Sequence, residues 1–143
     1  MTLAIHVDSK ATLDALKRMS NDVQDRASQV ALMRAGLVLE RAAKLKLTEN
    51  GRHERGTPTP SAPGTPPAAI TSTLKASVYV THPLRVGMGD YMVMVGPTVI
   101  YGRVQELGGG PNNLPARPYM QPAAAENADK IREAYIDALR RYI

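Results

Sequence analysis

The chain has 143 residues, with 18 Lys or Arg against 13 Asp or Glu and a formal net charge of +5. It contains no Cys, Phe or Trp, so a disulfide, a thiolate nucleophile and a zinc–thiolate site are excluded. The core must be built from aliphatic side chains and Met, which bury less apolar area each than large rings. We therefore expect a single domain, residues 1–143, that gains further burial against neighbouring copies.

The start of the chain and its hydropathy bear on location. Met1–Asp8 lacks the basic start and long apolar run of a signal peptide, and no apolar run approaches the ~20 residues of a membrane span. The basic excess is spread along the sequence without a dense Lys/Arg run. This is typical of a solvated surface, or of one that passes near DNA without reading its sequence. We expect a soluble protein made inside a cell, with no membrane partner.

The first third of the sequence predicts a strand and two helices. Leu3–Val7 alternates as a strand does, and Asp8 and Ser9 offer an N-cap to a short helix through residues 13–19. A long helix follows over 23–47 and ends near Gly51. Its apolar face carries small residues that would let another element approach closely, namely Ala27, Ala31, Ala35, Gly36 and Ala42.

Residues 51–70 form a segment rich in Pro, Gly, Ser and Thr, which prevents both a helix and a central strand. Two interpretations remain open with equal weight: an extended arm that orders on a partner, or a disordered surface loop. As an arm, the segment would make its contacts through prolines, and the candidates are Pro58, Pro60, Pro63, Pro66 and Pro67.

The periodicity then changes to strands. We predict strands over 74–81, 84–88 and 91–95, the last two joined as a hairpin at Gly89-Asp90, and a further strand over 99–104. After a loop at 108–113, Pro122 is suited to the first turn of a C-terminal helix. The order strand, two helices, antiparallel meander and helix predicts an α+β fold with helices packed on one sheet face.

No set of residues predicts catalysis, a metal site or a cofactor. His6, His53 and His82 have no ligand-like spacing, and no nucleophile or phosphate-binding motif is present. Glu106 is the only acidic residue between Asp90 and Glu126. It is better interpreted as a cap or as an ion pair with Arg103 or Arg117, within one copy or between two. We predict that the protein is not an enzyme.

The box Pro115–Ala123 is predicted to fix the C-terminal helix against the sheet and an adjoining subunit, because its prolines restrict the backbone. Arg117 suits a carboxylate or a row of backbone carbonyls, and Glu106 is its nearest candidate partner. For Tyr119 and Met120 of the box, packing within the domain is favoured over a role as exposed anchors. The candidate interface residues are Arg103, Glu106, Arg117, Tyr119 and Met120.

On these residues the chain resembles the siphophage neck and tail-completion proteins, small minor tail components. The shared features are an Ala-Lys step at Ala43-Lys44, a strand start over 71–77, a Tyr-x-x-x-x-Glu-x-Gly segment from Tyr101 to Gly108, and the box from Ala116 to Ala123. Ser72 stands where the family usually has Gly, and the preceding Pro-rich stretch is longer than usual.

The resemblance implies a structural virion protein present as a homo-oligomeric ring, commonly of six or twelve copies, between the portal or connector and the tail tube. DNA would pass through the lumen without being read, and connector, stopper, tail-tube or terminator proteins would be neighbours. Two alternatives remain open: a tail terminator that caps the tube, and a small basic nucleic-acid-binding module. The module would cluster basic residues on one exposed face, the candidates being Lys10, Lys17, Arg18, Arg26 and Arg34.

Overall fold

The fold is α+β, as the sequence predicts. A computed structural model describes residues 3–4, 10, 14, 17, 21–51, 61–69 and 72–142. The predicted first helix, over 13–19, lies almost entirely outside the described residues. The elements in chain order are β1 (Leu3–Ala4), α1 (Asn21–Lys46), α2 (Thr73–Ser77), β2 (Val78–Val80), β3 (Leu84–Arg85), β4 (Tyr91–Met92), β5 (Met94–Pro97), α3 (Ile100–Leu107), α4 (Met120–Glu126) and α5 (Ala128–Arg140).

Helix α1 forms the centre of the core. Its buried residues recur at steps of three and four, so they occupy one face: Ala27, Ala31, Leu32, Ala35, Gly36, Leu39, Ala42 and Ala43. The start of this face packs against Ala138 and Leu139 of α5. A Cβ atom added to Gly36 would lie 2.5 Å from Cγ2 of Val80 on β2, so the glycine permits the sheet to approach. The predicted close approach along this face is confirmed.

The strands form two small antiparallel sheets where the sequence predicts one meander. The first sheet has the order β1-β5-β2, with Val80 opposite Val95. The second is the hairpin of β3 and β4, with Leu84 opposite Met92. The predicted hairpin is confirmed over these few residues, but the chain then leaves it and β5 joins the other sheet. Both residues of β3 are exposed, whereas both residues of β4 are half-buried and lie against α1.

Two of the predicted strands are wrong in whole or in part, because helices occupy their positions. Residues 73–77 form α2, so only Val78–Val80 remains of the strand over 74–81, and residues 100–107 form α3. The run Val99-Ile100-Tyr101 favours a strand by propensity, but tertiary contacts override it. A Cβ atom added to Gly102 would lie 2.5 Å from Cγ of Pro97, so α3 is packed directly on the end of β5.

The C-terminal helix begins where the sequence predicts, with Pro122 in its first turn, but it is divided at Asn127. The backbone of Asn127 has φ −114° and ψ 14°. Its side-chain amide donates to the carbonyl of Ala123 at 2.9 Å, and its own carbonyl accepts from the amide of Ile131 at 2.9 Å. These bonds satisfy backbone groups on both sides of the break, so α4 and α5 follow one another with only one residue between them.

Candidate subunit interface and its buried anchor

Glu106 holds the start of α4 in place. Its carboxylate accepts three backbone N–H bonds, from Tyr119 and Met120 to Oε2 at 2.7 and 2.9 Å and from Gln121 to Oε1 at 2.9 Å. The first N–H groups of a helix have no partner within it and lie at the positive end of its dipole. A buried carboxylate there makes charge-assisted bonds, stronger than neutral ones. Glu106, only 3% exposed, is therefore a cap supplied by another helix.

The sequence contains a signal for this cap. Helices usually begin after Ser, Thr, Asp or Asn, whose side chain binds the first amides. Helix α4 begins after Tyr119, whose side chain makes no capping bond. A helix start without a local cap indicates an acceptor from elsewhere, and Glu106 is the nearest acidic residue before it. The prediction of a cap is confirmed, and the alternative, an ion pair of Glu106 with Arg117 or Arg103, does not occur within one copy among the described residues.

Tyr119 and Met120 pack in the core, as the favoured interpretation has it, and both are fully buried. The Tyr119 hydroxyl donates to the carbonyl of Gly102 at 3.3 Å. Burial, with smaller contributions from the nearby Glu106 carboxylate and from Tyr101, raises the pKa of Tyr119 well above its usual range. The Tyr119 hydroxyl joins the box to α3, and neither Tyr119 nor Met120 is available to a partner in the folded chain.

Arg117 is the second buried anchor of the box, at 8% exposed. Its Nε donates to the carbonyl of Ser61 at 2.9 Å, and its backbone N–H donates to the carbonyl of Gln105 at 2.6 Å. The backbone of the box also accepts a bond at Ala116 from the amide of Gly64 at 2.9 Å. Arg117 therefore binds a backbone carbonyl, which is one of the two partners that the sequence predicts for it.

These bonds bring the described half of the Pro-rich segment onto the domain. Residues 61–69 are tied to the box and to the end of α1, where the Asn50 side chain donates to Thr65 Oγ1 at 3.2 Å and also binds the carbonyl of Pro66. Neither an arm away from the domain nor a disordered loop fits these residues. Pro67 is buried, Pro66 half-buried and Pro63 exposed, whereas Pro58 and Pro60 lie outside the described residues.

Large apolar side chains are exposed on several elements, and the two most exposed lie on the β3–β4 hairpin and on α3. On the β3–β4 hairpin, Leu84, Val86 and Met88 are 45%, 59% and 95% exposed. On α3, Ile100 is 92% exposed and Leu107 is 55% exposed. Arg103 lies on the exposed side of the same helix. The sequence does not predict these apolar residues as contacts. It places all of them except Leu107 in paired strands, where about half of such side chains would be buried.

A basic groove of about 350 Å³ lies between α1 and α5. Leu37, Val38, Ala134 and Ala138 form its apolar lining. Its charged residues are Arg34, Arg41, Arg141 and Asp137. Asp137 is paired with Arg140 at 3.1 Å, whereas the three arginines of the groove have no ion-pair partner among the described residues. The groove is therefore an apolar surface whose charged residues are three unpaired arginines and one paired aspartate.

Among the described residues, no group of three or more His, Asp or Glu side chains could hold a metal ion. Within the same residues, no helix is long and apolar enough to cross a membrane. Comparison of the chain with family models, with curated proteins and with solved structures finds no match in any of the three.

Proposed function

We propose that the protein is a structural subunit of the head–tail junction of a siphophage, forming a ring of six or twelve copies around the DNA channel. The observation that carries the proposal is the exposed apolar surface of the hairpin and of α3. Burying a side chain such as Met or Ile contributes about 1.5–3 kcal/mol, and contiguous exposed apolar side chains mark interaction sites on soluble proteins. Met88 and Ile100 are almost fully exposed in the single chain, so contact with a neighbouring molecule would bury apolar area that folding leaves in water.

The conformation of Ser72 supports the resemblance on which the particular assembly rests. Its φ is 61° and its ψ is 8°, the left-handed region that glycine adopts without a steric penalty. The siphophage neck proteins usually have Gly at this position. A left-handed backbone at this position agrees with that family pattern, because glycine adopts it freely. Ser72 adopts it with some steric strain, since its Cβ atom crowds the backbone.

The buried anchor supports a passive, structural role. Glu106 and Arg117 are both used to hold the backbone of the box and of residues 61–69. The anchor thereby keeps α3 and α4 in a fixed relation, so the exposed residues of α3 form a rigid surface. A rigid contact surface loses little conformational entropy when a partner binds.

Light scattering on the purified full chain, alone and mixed with the connector and tail-tube proteins of the same phage, tests this proposal. We expect a mass of six or twelve copies in at least the mixture, and loss of that mass in the double variant Met88→Ser/Ile100→Ser. Substitution of Val23→Ser, at a less exposed apolar position on α1, is the matched control and should assemble normally. A strictly monomeric chain that never joins its partners would overturn the proposal.

The candidate from another class is a nucleic-acid-binding module, favoured by the unpaired arginines of the groove. Of the residues expected to cluster in such a module, Lys10, Lys17, Arg26 and Arg34 are exposed and Arg18 lies outside the described residues. Binding to duplex DNA that weakens steeply with salt, by a monomeric chain, would favour this function.

A further inference from the structure

We infer that the tip of the β3–β4 hairpin of one copy docks into the α1–α5 groove of the next copy in the ring. The inference rests on the proposed ring and names the contact that closes it. The hairpin tip is defined as residues 84–90 and the groove by the lining residues given above. Because the two surfaces belong to different parts of the chain, their contact is head-to-tail, the kind of contact that forms a ring when the rotation between copies closes.

The apolar parts of the two surfaces match. Val86 and Met88 extend from a narrow hairpin closed by the bond from the Val86 amide to the Asp90 carbonyl at 2.9 Å. On the other side, Leu37 is 45% exposed at the edge of a groove about 350 Å³ in volume. Met is unbranched and adapts to irregular apolar surfaces, so it suits insertion into such a groove.

The charges at the tip give the contact a direction. Asp90 is exposed and has no ion-pair partner among the described residues. Arg85, the other charge of the tip, turns back to donate from Nε to the carbonyl of Gly87 at 3.2 Å. A carboxylate next to the apolar tip therefore faces a rim of three unpaired arginines, and such complementarity fixes register and suppresses wrong pairings.

A second apolar pocket of about 280 Å³ provides the natural comparison. It lies between the end of α1, α2 and α3, and its lining includes Pro67, Leu74 and Tyr101. Its only charged residue is Lys75. It therefore offers Asp90 a single cation, where the groove offers three arginines and its one carboxylate, Asp137, is already paired with Arg140. The α1–α5 groove is the better receptor for a tip that carries an apolar side chain and a carboxylate together.

Disulfide cross-linking tests the contact sharply, because the natural chain has no Cys and every cross-link must come from the introduced residues. Full-length Met88→Cys and isotope-labelled Leu37→Cys are mixed under assembly conditions, oxidised mildly and weighed by mass spectrometry. We expect mixed dimers to exceed those from Met88→Cys with the control Lys75→Cys by about tenfold, since a disulfide forms only when the two Cβ atoms come within about 4.5 Å. Adding Arg34→Gln and Arg41→Gln to the Leu37→Cys chain should lower the yield.

The outcomes separate this inference from the proposed function. A ring detected by light scattering in which Leu37→Cys cross-links no better than Lys75→Cys overturns the docking and leaves the ring intact. A monomer at all concentrations and with all partners overturns both. A third arm uses a 30-base-pair duplex: DNA binding that requires Arg34 and Arg41, without any Met88–Leu37 cross-link, assigns the groove to nucleic acid and overturns the docking.

Discussion

The buried anchor and the hairpin tip place the same kind of side chain in opposite settings. Met120 is fully buried beside the capping carboxylate of Glu106, whereas Met88 is 95% exposed at the end of a hairpin. In the anchor, the Glu106 carboxylate, Arg117 Nε and the Tyr119 hydroxyl have partners within the chain. At the tip, large apolar side chains and an unpaired carboxylate face outward. The comparison suggests that stability depends on the anchor and association on the tip, so substitutions in the two regions should separate these properties.

Removal of the Glu106 carboxylate should have the largest effect on the anchor. Glu106→Ala leaves three helix-start N–H groups buried without an acceptor, so we expect the free energy of unfolding to fall by about 3–5 kcal/mol. Glu106→Gln keeps one acceptor oxygen, so its free energy of unfolding should lie between those of the natural chain and of Glu106→Ala. Urea unfolding measures both, and Glu133→Ala, at an exposed position on α5, should lie within about 0.5 kcal/mol of the natural chain. Equal stability of Glu106→Ala and Glu133→Ala would contradict the capping role.

Arg117→Ala should have the next largest effect. The change removes the bond to the Ser61 carbonyl and the packing of a buried side chain, and we expect a loss of about 1–3 kcal/mol. Hydrogen exchange should become faster within residues 61–69, because that segment loses its side-chain tie to the box. Arg103→Ala, on the exposed side of α3, is the matched control and should change neither quantity. Unaltered exchange over 61–69 in Arg117→Ala would show that the segment is held by other contacts.

Alkaline pH should weaken the anchor through Tyr119. Its pKa is raised in the folded chain, so its contribution to stability is complete below the ordinary value of about 10 and is lost as the pH rises above it. Each such group lowers the free energy of unfolding by up to about 1.4 kcal/mol per pH unit in that range. The pKa of Tyr135 is also raised, by burial, so Tyr119→Phe should reduce this slope and not abolish it. Urea unfolding between pH 8 and 11 measures the slope, and identical slopes in both proteins would contradict this reasoning.

The smallest effect on stability should come from the tip. Met88→Ser changes a side chain that makes almost no contact in the isolated chain, so at dilutions where the chain is monomeric we expect unfolding within about 0.5 kcal/mol of the natural protein. Association should nevertheless weaken. A large destabilisation of the monomer by Met88→Ser would mean that the tip is covered within the same chain and would remove the distinction between the two regions.

Much of the architecture could be predicted from the sequence because it depends on local periodicity. The apolar face of α1, the small residues on it and the start of the C-terminal helix all follow from spacing and from Pro122. Helix α3 could not be predicted, since the strand propensity of Val99, Ile100 and Tyr101 is overridden by its packing on Pro97 and by the bonds of Glu106. The division at Asn127 also depends on side-chain bonds that spacing does not reveal.

The candidate site was predictable only where it depends on positions along the sequence. Glu106 shortly precedes the box and Arg117 lies within it, so the sequence brings both to attention. An acceptor role for Glu106 was predictable because it is the only acidic residue between Asp90 and Glu126. Which groups they bind depends on how α3, α4 and residues 61–69 come together in space. The exposure of Met88 and Ile100 is likewise a property of the folded surface, because either residue would fit a buried strand equally well.

Electron microscopy of the purified assembly would show directly whether the chain forms rings and which surface joins the copies. We expect closed rings of six or twelve copies in which the β3–β4 hairpin lies at the contact between neighbours, while Glu106, Arg117 and Met120 remain inside each copy. Rings whose contacts pass through an opened box at 115–123, or particles that contain only single copies of the chain, would contradict this expectation.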